Sequence, residues 1–86
     1  MSDTASILAD RGPRYGPWPE MSACAQSIKT AMVSASQWDN LPPGEREALE
    51  MIATKIARAV CGRGDPDNYA DIAGYAALAE SSCVVR

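Results

Sequence analysis

Histidine and phenylalanine are both missing from the 86 residues. Without histidine there is no Ser-His-Asp or Cys-His nucleophile system, no imidazole general base and no imidazole-ligated zinc. Any metal here would be held by carboxylate oxygen, the preference of Mg²⁺ or Mn²⁺. Without phenylalanine, and with only two tryptophans and three tyrosines, large buried side chains are scarce. No apolar run approaches the roughly 20 residues needed to span a bilayer. The first residues lack the basic start and continuous apolar stretch of a signal peptide, so no membrane association and a cytoplasmic location are expected. The three cysteines, Cys24, Cys61 and Cys83, are odd in number and widely spaced, which points to free thiols in a reducing compartment. The 8 basic residues are outnumbered by 11 acids, a net charge of −3. That balance argues against direct nucleic-acid binding.

Alanine is what the chain has in plenty, with fifteen copies. Alanine favours helix and contributes little buried area. A chain of this length buries only about 60–65% of its unfolded surface and is marginal alone. The composition therefore predicts one all-α domain over residues 1–86, a small bundle of about four helices with close packing, completed by oligomerisation, a homo-oligomer first of all.

The first predicted helix runs from about Asp3 to Arg11, capped by Ser2 or Asp3 and stopped by Gly12. Residues 12–19 hold three prolines and two glycines and read as an ordered loop. A second helix starts near Pro19, a suitable first helical position. Met21, Cys24, Ala25, Ile28, Met32 and Ala35 follow in steps of three and four, and the helix ends before Trp38. The third helix spans about Pro43 to Val60 or Cys61, with Leu49, Ile52, Ala53, Ile56 and Val60 as its buried stripe and Gly62 as its stop. The fourth covers about Asn68 to Ser81, with Asp67 as candidate cap and Ile72, Tyr75, Ala76 and Ala79 as its stripe. Gly74 within it predicts a close helix–helix contact. Trp18 and Trp38 read as hydrophobic anchors.

At 100° per residue, Glu47, Glu50, Thr54 and Arg58 share one face of the third helix, with Lys55 at its edge. Glu47 and Glu50 are three apart and repel modestly, a repulsion that a divalent cation between them would reverse. The plainer reading is a solvated face on which Arg46 pairs with Glu50. Asp67 and Asp71 share a face of the fourth helix. If the last two helices form an antiparallel hairpin, Asp71 approaches Arg58 and Thr54 more readily than Glu47. Arg14, in the Arg14-Tyr15-Gly16 loop, is of a type that meets phosphate, though a surface turn with Tyr15 packed on the domain reads as well.

Taken in order, Arg14-Tyr15-Gly16, Arg46-Glu47-Ala48-Leu49, Lys55-Ile56-Ala57-Arg58, Gly64-Asp65-Pro66 and Asp71-Ile72-Ala73-Gly74-Tyr75-Ala76 resemble a family of short phage and prophage proteins of unknown function. That family is similar, more distantly, to the MazG-like all-α nucleoside triphosphate pyrophosphohydrolases. The resemblance implies Mg²⁺ held by Glu47, Glu50 and Asp71, which would be the catalytic residues, with Lys55, Arg58 and Arg14 on the phosphates of a nucleotide. Glu47-Ala-Leu-Glu50 fits the first acidic pair of such enzymes. Asn68 stands where the second pair expects an acid. The rival expectation is a non-catalytic helical interaction module, a phage accessory or virion-associated protein.

Overall fold

A computed structural model of the chain describes residues 14–86. The described residues hold three complete α-helices and one 3₁₀ turn, with no strand among them; Arg14 and Tyr15, expected in the loop over 12–19, are helical as well. Helix α1 is Trp18–Val33, the 3₁₀ turn is Trp38–Asn40, α2 is Pro43–Cys61 and α3 is Asp67–Ser82. The predicted helix over 3–11 lies outside the described residues.

Proline sets each helix start. Pro17 and Pro42 precede α1 and α2 in extended conformation, and each of these helices carries a proline in its first two positions. A missing N–H costs nothing there, since the first-turn donors lack intrahelical partners anyway. Before α3, Asp65 accepts the Asp67 N–H on its side chain at 3.0 Å and the Asn68 N–H on its carbonyl at 3.0 Å. Asp65, rather than Asp67, therefore satisfies the α3 start, and Asp67 is its first residue. Glu20, Glu45 and Asp67 place negative charge in the three first turns, favourable to the helix dipole.

Helix α2 is the middle of a layer. It packs against α1 on one side and α3 on the other, and α2 with α3 is the more extensive contact. Both pairs are antiparallel. The end of α2 meets the loop before α1, while Gly44 at its start lies against Ser82 at the end of α3. The contacts are made by small side chains: Ala48, Ala53 and Ala57 are the buried residues of α2 besides Glu45. Ala57 joins Met21 and Ala25 of α1 in the core, with Cys24 and Cys61 packed against it. Burial, then the neighbouring Cys24 and Glu20, raises the Cys61 thiol pKa.

The stripe expected on α2 is thus displaced. Ala53 is buried, but Leu49 and Ile52 are only half-buried, and Ile56 and Val60 are 39% and 67% exposed. Two flanking helices approach along the alanine seams, where small side chains allow it, and the larger aliphatic residues stay on an open side. Similarly Ile72, Tyr75 and Ala79 of α3 are half-buried, whereas Ala76 is exposed. Gly74 makes no close contact: a Cβ added there meets nothing within 4 Å among the described residues. Trp38 is buried and anchors the turn, but Trp18 is 62% exposed.

No large side chain is fully buried among the described residues.

Candidate functional site

The two sides of the layer differ in chemistry. On α2, Ile52 and Thr54 lie about 200° apart around the axis, as do Ile56 and Arg58. One side of the layer therefore carries Leu49, Ile52 and Ile56. They line a groove of about 340 Å³ with Ile28 and Met32 of α1 and Trp38 and Leu41 of the turn. The opposite side carries Glu47, Glu50, Thr54 and Arg58.

Between α1 and α2 on that polar side is a smaller cavity of about 150 Å³, lined in part by Ser22, Gln26 and Lys29 of α1 and by Thr54 and Arg58 of α2. The Arg58 guanidinium lies 4.8 Å from the centre of the Tyr15 ring, and that of Arg14 lies 5.1 Å from the same ring. Tyr15 is thus sandwiched between two cations, an arrangement favoured by the negative face of its ring. Arg14 also reaches Asp65 at 3.3 Å. The Asp67 backbone N–H, then the Arg14 guanidinium, hold the Asp65 carboxyl below the usual carboxylate range. Arg14, Arg58 and Asp65 therefore come together near Tyr15, where the helical residues 14–15 meet the end of α2 and the turn before α3.

Two glycines allow that cluster to close. Gly16 has φ +86°, and a Cβ there would fall on the carbonyl of Cys61; a Cβ on Gly62 would fall on the carbonyl of Arg14. The backbones of residues 14–16 and 61–62 press directly on each other.

The acidic residues are not gathered in the same way. Asp71 bonds Lys55 at 2.8 Å, so the hairpin brings α3 to Lys55 rather than to Arg58 or Thr54. Glu47 is exposed and Glu50 half-buried. Neither Glu47 nor Glu50 forms an ion pair among the described residues, and the simple pairing of Arg46 with Glu50 is not made. No group of three or more acidic or cysteine side chains sits close enough to hold a metal among the described residues. Glu47, Glu50 and Asp71 are thus not brought together as a group of three among the described residues. Asn68 is 2% exposed, so the position where the resemblance expects a further acid faces the interior.

A family model described as a domain of unknown function, DUF6378, matches residues 3–82. The chain belongs to that family. No curated protein and no solved structure matches it. The DUF6378 match covers the Tyr15 cluster, both glycines of the backbone contact and all three described helices, but assigns no activity to them. Among the described residues no helix is long and apolar enough to cross a membrane.

Sequence reasoning placed Arg58 and Thr54 on one face but missed Lys29 and Gln26, which come from a different helix. The signal was present: Ser22, Gln26 and Lys29 recur in steps of four and three, a polar stripe beside the apolar one on α1. Only the packing of α1 on α2 joins that stripe to Thr54 and Arg58.

Proposed function

We propose that the chain is a helical interaction module that works as an assembly, its apolar groove between α1 and α2 covered by a second copy of the chain. The groove, left uncovered by the described residues, carries this reading. It unites half-buried Ile28, Met32, Leu49 and Ile52 with exposed Ile56 in one channel. The alanine seams explain why the larger aliphatic side chains are left to a partner: their contacts bury little apolar area inside one chain.

The test is the solution mass of the full chain beside an Ile52→Glu variant, whose carboxylate would be desolvated without a partner in a covered groove. The wild type is expected to self-associate at micromolar concentration. Ile52→Glu is expected to stay monomeric with unchanged helix content by circular dichroism. A monomeric wild type would reject a second copy as the occupant.

A second reading, Mg²⁺-dependent nucleotide binding or hydrolysis as the MazG resemblance implies, is supported by one observation: Glu47 and Glu50 share a face of α2 and lack an ion-pair partner among the described residues. Asp71 would join them only from a second copy or with its bond to Lys55 broken. Mg²⁺-dependent pyrophosphate release that disappears in Glu50→Gln would support this reading, and no release from any of the common nucleoside triphosphates would remove it.

A further inference from the structure

We propose that the cavity between α1 and α2 on the polar side of the layer binds a phosphate group, free or as a monoester. Lys29 and Arg58 both line it, together with Trp18, Ser22, Gln26 and Thr54, and no acidic residue does. In a chain of net charge −3, that is an unusual place: neither cation forms an ion pair among the described residues. Arg58 Nε is buried without a hydrogen-bond partner. A buried donor of this kind is normally satisfied; Nε has no accessible surface as it stands, so an anion in the adjoining cavity would meet it only after a small shift of the Arg58 side chain. The Tyr15 ring fixes the guanidinium plane 4.8 Å away, so little side-chain freedom is lost when a ligand docks.

The donor set suits phosphate. Guanidinium and ammonium groups give charge-assisted bonds to its oxygens, and the Gln26 amide adds a neutral donor. The two hydroxyls already donate to backbone carbonyls, Ser22 to Pro19 and Thr54 to Glu50, each at 3.3 Å. They are secondary contacts. A volume of about 150 Å³ is the space of about five waters at ~30 Å³ each, enough for a tetrahedral phosphate but not for a whole nucleotide. The remainder of a monoester would leave along the indole of Trp18, which is exposed at the rim. Neither a metal ion nor a second copy of the chain is needed, so this inference stands or falls apart from both readings above.

The experiment is a titration of the full chain with inorganic phosphate and with phenyl phosphate, at ionic strength held constant with sodium chloride, followed by amide chemical shifts. Saturable shifts at Lys29, Thr54 and Arg58 are expected. Tighter binding of phenyl phosphate assigns the site to monoesters, and equal binding assigns it to the free anion. Lys29→Gln should weaken binding about tenfold, the scale of one charge-assisted hydrogen bond. Arg58→Lys, which keeps the charge but loses the planar fork, should weaken it less. Arg63→Gln, on the exposed turn after α2 and outside the cavity, should change it less than twofold. No saturable shift with either probe, or undiminished binding in Lys29→Gln, would overturn the proposal.

Discussion

Replacing Gly16 with alanine tests the contact that holds the Arg14–Tyr15 segment beside Arg58. Gly16 sits at φ +86°, in the left-handed region where an L-residue costs about 1–2 kcal/mol. The added Cβ would also lie 2.7 Å from the Cys61 carbonyl carbon and 2.8 Å from the Cys61 Cβ. Backbone cannot step aside as a flexible side chain can, and overpacking of this kind costs about 1–3 kcal/mol. The total, about 2–5 kcal/mol, is a large share of the roughly 4–13 kcal/mol available to 86 residues. The melting temperature should fall by at least about 10 °C. Gly74→Ala provides the opposite control. It lies inside α3 with nothing within 4 Å of its added Cβ, so alanine should stabilise by about 0.5–1 kcal/mol through helix propensity. Thermal melts by far-ultraviolet circular dichroism in one buffer measure both. A Gly16→Ala protein that melts at or above the wild type would refute the backbone contact.

The Asp65 carboxyl titrates below its ordinary value, so the unfolded chain binds its proton first as pH falls. Its contribution is therefore present above about pH 4 and lost as pH drops through the lower folded pKa. Asp65→Asn keeps an acceptor for the Asp67 N–H but removes the charge, and melts between pH 3 and pH 6 should show a shallower acid limb than the wild type; an identical limb would contradict the assignment. Phosphate should raise the wild-type melting temperature by mass action and raise that of Lys29→Gln by less at the same concentration, and an equal rise in both would contradict the cavity.

Much of the fold was legible before any coordinates. The prolines at 17, 19, 42 and 43 and the glycine at 62 mark the starts of α1 and α2 and the end of α2 to within a residue or so, because their effects are local; α1 ends at Val33, short of Ala35 on its expected stripe. The buried face was not. Periodicity weights Leu49, Ile52, Ile56 and Val60 above Ala48 and Ala57, yet packing distance selects the alanines, and nothing in one helix reveals how closely its neighbours approach. Gly74 misled for the same reason: a small residue permits a close contact without requiring one. On the site, the shared face of Thr54 and Arg58 followed from helical geometry. The partnering of Asp71 with Lys55, and of Lys29 with Arg58 across a cavity, depends on the register between helices, which side-chain periodicity does not encode.

The proposed interface between copies lies on the apolar side of this three-helix layer. Sedimentation equilibrium of the full chain across a micromolar concentration series measures it directly. A wild-type mass rising to a multiple of 9.1 kDa, with Ile52→Glu held at the monomer mass, is the predicted pair of results. A wild type that remains at 9.1 kDa throughout the series would contradict it.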